Sequence, residues 1–386
     1  MNELEKVLNK QILDFGEFSE ECLDLQKPYN DPLQTTNNSL FELDENWKIE
    51  PFNEKQEEIN LNIFLDNKIF SENFLNKDYY CLTVCLSIHD YFLFTILEKE
   101  ETEEIYILCC SSSSSKMKII KESDLKYSFL RKIFCLGPPM SAYVSAFDPQ
   151  FESATVVSCS GDLEEKDLIQ MENLEIPLNY KFGILYVEEG QNTQEDYLTN
   201  VEHSKEFEDF LNILGDKITL FGWKKYRGGL DVNHGTSGET SIYTEWNDFS
   251  IMFHVLTLIP YIEKDDQQVT RKKHIGNDVV VIVFLNGDIV YNPNSFRSKQ
   301  NHILIAVRPL KDGNETKYQL EVNMKNCVRH YEPFLPIPPI LDQDEIRDYI
   351  LTKACQGERI ASKSGKFWDR FQNFRADLLE EVWERY

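Results

Sequence analysis

Arg271-Lys272-Lys273-His274-Ile275-Gly276-Asn277-Asp278 runs directly into Val279-Val280-Val281-Ile282-Val283-Phe284-Leu285, and the reading of that junction decides the fold. The second part is apolar, β-branched and aromatic, the content of a strand. The first part closes a helix. Asp265-Asp266-Gln267-Gln268-Val269-Thr270 puts acids at its start and the bases at its end, the order that complements a helix dipole. Outward from this junction, residues 182–187, 217–223, 241–246, 250–255 and 302–308 read as further strands. Between them, Ser204 to Leu214 sets Phe207, Phe210, Leu211 and Leu214 on one side of a capped amphipathic helix, with Gly215 after it. Helices alternating with strands in this way predict an α/β sandwich built on a mixed sheet.

The chain closes on two more helical patterns. One is Asp342 to Cys355, preceded by the proline-rich turn 333–339, which reads as a rigid brace. The other is Ser364 to Tyr386, where Trp368, Phe371, Phe374, Leu378, Val382 and Trp383 make an apolar stripe suited to docking on a core. Toward the N-terminus, residues 79–88, 91–97 and 104–109 read as strands of a smaller, strand-rich domain, so that the whole is α+β. Ser111 to Ser115 reads as a mobile loop. Leu4, Val7, Leu8, Ile12 and Phe15 recur at helical spacing before Gly16 and the polar stretch from Pro28 to Ser39. The division expected from these patterns is an acidic helix and flexible tether over 1–46, the strand-rich domain over 47–175, and the α/β domain with both C-terminal helices over 176–386.

With 386 residues and 41% apolar side chains, two cores are the natural expectation. A net charge of −26 argues against nucleic acid or an anionic membrane as a bulk partner, and Arg271 to Lys273 are the local exception that could meet phosphate. The charged first residues and the lack of an apolar run near about 18 residues predict a soluble, cytoplasmic chain without integral membrane association. The cysteines number nine, an odd total, with Cys81, Cys85, Cys109 and Cys110 in strand-like runs, and read as reduced, mostly packing thiols. His89, His203, His234, His254, His302 and His330 show no ligand spacing, so no metal cofactor is expected. His254, inside Ile251-Met252-Phe253-His254-Val255, reads as a hydrogen-bonded core histidine. Asn37 and Asn314 begin Asn-x-Ser/Thr triplets that carry little weight without secretion.

If the helix runs through the junction, three- and four-residue spacings bring Thr270, Lys273, His274 and Asn277 to one side. The Asn277 amide does not titrate and cannot serve as a general base; it offers an acceptor and two donors in a fixed plane. Its chemistry is the orientation of water, and phosphoryl transfer asks little more of a protein than positioning and charge stabilisation. The same residues also fit an ordinary helix stop, with Gly276 at the left-handed position and a polar residue next.

Between Tyr180 and Pro309 the chain resembles the catalytic domain of the Rap GTPase-activating proteins. The matching pieces, in order, are Lys181-Phe182-Gly183-Ile184-Leu185-Tyr186 with Gly190-Gln191, Arg227-Gly228-Gly229-Leu230-Asp231, Ile251 to Val255, Leu258-Ile259-Pro260-Tyr261, Gln267-Gln268, and His274 to Asp278. The resemblance implies that Asn277 is an asparagine thumb, which enters the nucleotide site of a bound small GTPase and positions the hydrolytic water. It implies a catalytic or thumb-supporting role for His274, which read alone is equally a capping histidine. It further implies thumb-supporting or GTPase-contacting roles for Arg271, Lys272, Lys273 and Arg375, the last being otherwise a solvated helix base. The implied partner is a GTP-bound Rap-type GTPase that carries its own Mg-GTP; the chain would hold no cofactor of its own and would hydrolyse nothing alone. Lys273 stands where many Rap-directed members have arginine, and an ammonium does not reproduce bidentate guanidinium geometry, which leaves Rheb or Ral as alternative partners. The region from 47 to 149 resembles more faintly the domain through which such activators pair with themselves, implying a homodimer. A GTPase-binding scaffold without much catalysis is the alternative from another class, and a metal-dependent or acid/base hydrolase ranks third.

Overall fold

The computed structural model describes residues 39–52, 68–134, 136–159, 165–175, 177–313, 315–364 and 366–386. The N-terminal helix expected at Leu4 to Phe15, most of the tether, Asn37 and Asn314 lie outside them. The chain divides into two compact units, and the division differs from the expected cuts. Strand β1 (Trp47–Ile49), expected in the strand-rich part, pairs antiparallel with a strand of the α/β sheet.

In the smaller unit, helix α1 (Ile69–Asn73) precedes β2 (Tyr80–Ser87), β3 (Asp90–Lys99), β4 (Glu104–Cys110) and β5 (Ser115–Lys121); helices α2 (Phe129–Ile133) and α3 (Met140–Phe147) come next, then β6 (Thr155–Cys159) and helix α4 (Glu165–Glu175). The strands make one antiparallel sheet in the order β5-β4-β3-β2-β6. Apolar side chains on both sides of these strands explain why the sheet is covered on both faces. Cys81, Leu93, Leu97 and Leu108 meet Phe70 and Phe74 of α1 and Leu168 and Met171 of α4 on one face. Leu82, Phe94, Ile96 and Ile107 meet Tyr143 and Val144 of α3 on the other. The serine run is a tied turn, not a mobile loop: the Ser111 hydroxyl donates to the Ser114 carbonyl at 2.9 Å and accepts from the Ser114 amide at 3.0 Å, which closes the β4–β5 hairpin.

The larger unit resumes with β7 (Asn179–Glu188), helices α5 (Gln194–Leu198) and α6 (Lys205–Leu214), strands β8 (Asp216–Thr219), β9 (Thr240–Trp246) and β10 (Phe249–Val255), helix α7 (Val269–Gly276), then β11 (Val280–Asn286), β12 (Ile303–Asp312), β13 (Glu315–Lys325) and β14 (Ile340–Leu341), and helix α8 (Gln343–Ser362). These make a nine-stranded mixed sheet, β1-β13-β12-β11-β7-β10-β9-β8, with β14 also on β13. Its centre, β12-β11-β7-β10, is parallel, and its flanks are antiparallel. Leu185, Val187, Val281 and Val283 point to the face that carries Ile275 of α7 and Tyr197 and Leu198 of α5. The alternate residues Tyr186 and Phe284 pack their rings at an angle against Phe207 of α6, whose neighbour is α8. Helices thus cover both faces, the expected mixed-sheet α/β sandwich.

Several local differences have physical causes. Helix α6 starts where expected, because the Ser204 hydroxyl accepts from the Phe207 amide. Gly215 follows as its cap in an extended conformation, at a place that only glycine fits, since a Cβ there would sit 2.5 Å from the Tyr243 carbonyl. Strand β8 stops at Thr219, short of Trp223, where the chain turns through Gly222 with φ +75°. Strand β13, absent from the sequence reading, buries the alternating apolar residues Tyr318, Leu320, Val322 and Met324, and with them the intervening Glu321 and Asn323. The last helix, α9 (Lys366–Glu384), belongs to the smaller unit and not to the α/β unit, burying Phe371, Leu379 and Val382 against the face that carries Cys81 and Leu93.

Candidate functional site

Helix α7 is shorter than its sequence suggests, because Gln268 adopts a left-handed conformation (φ 45°) immediately before it. The Gln268 carboxamide accepts from the Ile262 amide and donates to the carbonyls of Ile262 and Asp265, fastening the preceding loop. Asp265, although outside the helix, accepts from the Val269 amide at 2.7 Å, so an acid still sits at the positive helix end.

Arg271 is buried and leaves the expected exposed cationic cluster. It donates to the carbonyls of Ile259 (2.8 Å), Leu198 (2.7 Å) and Asn200 (2.8 Å), with Tyr261 beside its guanidinium. Burial pulls it down to about 10, still cationic at neutral pH. These bonds fasten α7 to the two loops that carry Ile259 and Leu198–Asn200. Gln191 enters the same chain of support by donating to the Asn200 side chain at 2.6 Å. Lys272 is half-buried and Lys273 exposed, so Lys273 is the cation presented to solvent.

The C-terminal end of α7 is pinned at four successive carbonyls. Asn301 donates to Ile275 O (2.9 Å) and Asp278 O (2.6 Å), Ser298 to Gly276 O (2.6 Å), and Lys181 to Asn277 O (3.0 Å). Carbonyls at a helix end otherwise lack partners. Gly276 keeps helical geometry and does not take the left-handed position of an ordinary glycine stop. Asn277 comes next as the cap residue at φ −99°, ψ 3°, with its backbone bonded on both sides and its side chain exposed.

Beneath Asn277, the carboxylate of Asp278 is fully buried, receiving Lys181 Nζ at 2.7 Å and His254 Nδ1 at 2.8 Å. Burial works to raise its pKa, but His254 and Lys181 outweigh it and hold the group below the usual carboxylate range. Lys181 is raised in turn, since Asp278 overcomes the burial that opposes its charge. His254 donates its other nitrogen, Nε2, to Gly228 O at 2.9 Å, and is the core histidine expected. Two glycines make this geometry possible. At Gly183 a Cβ would stand 3.2 Å from the Asp278 carboxylate, and at Gly228, with φ +61°, 3.0 Å from Met252. Asp231 ties its own loop through the amides of Asn233, His234 and Thr236. His274 is half-buried, its ring 5.0 Å from that of His254 and its Nε2 3.3 Å from the Ser237 hydroxyl. Burial first, then His254, pushes it down to about 4, so it is a neutral imidazole at neutral pH. Glu358 of α8 completes the cluster. Burial, reinforced by Asp278 and opposed by Lys181, pushes its carboxyl up to about 8.

The structure therefore gathers Arg271, Lys272, Lys273, His274 and Asn277 in one helical segment and sets Arg375 apart. Arg375 is buried within the smaller unit, donating to Ser111 O, Met171 O and the Ser115 hydroxyl. It is neither a solvated helix base nor part of the α7 assembly. Lys181, Ser298, Asn301 and Glu358 escaped the sequence reading. A signal existed for Lys181, since a lone cation in a strongly apolar strand needs a buried partner; Glu358, among the many charges of α8, gave none. Ser298 and Asn301, in a polar loop, gave none.

The comparisons with known proteins fall on this region. Residues 197–376 match the family model described as Rap/ran-GAP. A zebrafish (Danio rerio) GTPase-activating Rap/Ran-GAP domain-like protein 3 is 40% identical over 224 residues, covering 57% of this chain and 22% of that protein. The Dictyostelium discoideum RapA guanosine triphosphatase-activating protein 1 is 33% identical over 269 residues, covering 55% and 26%. The solved TSC2 GAP domain shares 23% identity, covering 52% of this chain and 99% of that one, with a TM-score of 0.43. The chain thus spans about a quarter or less of the curated relatives it matches. Over residues 197–376, the chain carries a domain of the Rap/ran-GAP family.

Proposed function

We propose that this chain is a GTPase-activating protein for a Ras-family small GTPase, Rap first, and that it supplies Asn277 in trans to position the hydrolytic water. One observation carries the reading: an exposed carboxamide stands on a backbone whose flanking carbonyls are all bound by side chains of other segments. Such an amide accepts a hydrogen bond from the attacking water and donates toward acceptor oxygens, setting the water in line with the γ-phosphate while removing no proton itself. His274, neutral at neutral pH, stands one turn back and supports Asn277 through its place between His254 and Ser237. Lys273 offers an exposed positive charge to the GTPase surface. Mg-GTP belongs to the partner, and acceleration of this kind reaches ~10⁵-fold, about 7 kcal/mol off the barrier.

The test is single-turnover GTP hydrolysis by purified Rap, Rheb, Ral and Ras with wild-type chain and Asn277→Ala. Strong stimulation of Rap is expected, falling by about 10³-fold or more in the variant while binding of the GTP-loaded partner persists. Undiminished stimulation by Asn277→Ala sinks the assignment. Stimulation of Rheb or Ral alone moves the partner, and binding without stimulation identifies a scaffold.

A further inference from the structure

A part of the smaller unit carries an inference independent of the nucleotide chemistry. Phe129, Leu130, Ile133, Phe134 and Leu136 each leave more than half of their surface in solvent, and Met140 nearly as much. Scattered exposed hydrophobics are ordinary, but a cluster this dense marks an interaction surface. Its charge is equally distinctive. Between Asp124 and Asp148 the sequence contains no acid, yet it contains Lys126, Arg131 and Lys132, in a chain of net charge −26. The Arg131 side chain donates to Gly137 O at 3.1 Å, which folds the segment back after α2 and keeps both ends of the apolar run together.

Aromatic and aliphatic side chains flanked by cations suit the boundary of an anionic bilayer, where the apolar groups enter the acyl region and the cations meet headgroups. A second copy of this chain fits less well, because a two-fold interface through the segment would bring its positive charge against that of its symmetry mate, with no acid in the segment to offset it. We propose that Phe129, Leu130, Ile133, Phe134, Leu136 and Met140, with the cations of the same stretch of sequence, form a membrane-docking wedge for anionic phospholipid surfaces. The wedge lies on the bilayer; no helix among the described residues is long and apolar enough to cross one.

Sedimentation of the full chain with phosphatidylcholine vesicles, with and without phosphatidylserine, tests it. Wild type is expected to pellet with the serine-containing vesicles and more weakly with phosphatidylcholine alone. The double variant Phe129→Ser/Phe134→Ser should lose at least about tenfold in vesicle affinity at unchanged thermal stability. Lys126→Gln/Lys132→Gln should lose the preference for phosphatidylserine and keep the residual binding. The proposal is overturned if wild type does not bind either vesicle, or if the serine double variant binds as well as wild type. It is equally overturned if wild type is a dimer that this variant turns into a monomer without any vesicle binding, which assigns the segment to a second copy.

Discussion

Arg271 and Arg375 sit in different units and are buried in the same manner, each guanidinium donating to backbone carbonyls of segments distant in sequence. The two differ in the chain on their C-terminal side. After Arg271 the helix ends within two turns and leaves Lys273 and Asn277 in solvent. Around Arg375 the helix continues, with Phe371, Leu379 and Val382 buried on the same core. A buried arginine bound to carbonyls is therefore a fastening and does not by itself mark a site; the site is where the fastened chain leaves polar side chains free.

Substituting each arginine breaks the comparison most sharply. Arg271→Leu and Arg375→Leu each strand several carbonyls, and each should cost about 3 kcal/mol in a denaturation experiment. Only Arg271→Leu is expected to lower GTPase stimulation per folded molecule, by about 10²-fold. A similar fall in folded Arg375→Leu would return that residue to the partner interface. Lys181→Met removes the donor to Asn277 O and a counter-charge of Asp278. Steady-state kinetics should show kcat down by about tenfold with KM little changed, and Lys181→Arg should recover part of it. A loss confined to KM would make Lys181 a binding residue instead.

The buried charges sharpen the picture through pH. Because the folded pKa of Glu358 is raised to about 8 from 4.5, the folded state holds an extra proton between those values, and the stability it contributes declines as pH rises through that window. Glu358→Gln should therefore gain melting temperature over wild type progressively from pH 5 to pH 8, and a constant difference would refute the buried acid. His274 and His302 act in the opposite direction. Both are held near 4, so their contribution is present above 6.5 and lost as pH falls toward 4. The smallest effect is expected for Lys273→Arg, a shift of about two- to fivefold in the ratio of Rap to Rheb stimulation with unchanged melting. Identical ratios would dismiss residue 273 as a determinant of partner choice.

Much of this architecture was legible because local and tertiary demands agree. The runs at 182–187, 250–255 and 279–285 are strand formers that end up in the parallel centre, where both faces need apolar side chains. Ser204 and Gly215 mark the ends of α6 chemically as well as positionally. The misses fall where distant partners decide. Strand β13 alternates correctly, but Glu321 and Asn323 lie buried between its apolar residues, and Glu321 is accommodated by the amides of Leu40 and Phe41. Asn277 and His274 stood out through the resemblance carried by the ordered motifs around them, their own spacing fitting an ordinary helix stop as well. Most of their support did not, since Ser298, Asn301 and Glu358 arrive from polar or charged segments with no local pattern to announce them, and the lone Lys181 of an apolar strand pointed only to some buried partner. The same holds for α9, whose stripe predicted docking correctly without saying on which core.

The four bound carbonyls at residues 275 to 278 carry a further consequence for kinetics. Chain segments that order only on meeting a partner lose conformational entropy at that moment, and the loss weakens the complex and slows its formation. Here that entropy was surrendered when the domain folded, so a GTPase would meet a backbone with nothing left to arrange except a single side-chain rotor. Association should then proceed in a single second-order phase whose rate rises linearly with partner concentration, without the plateau that a slow ordering step imposes.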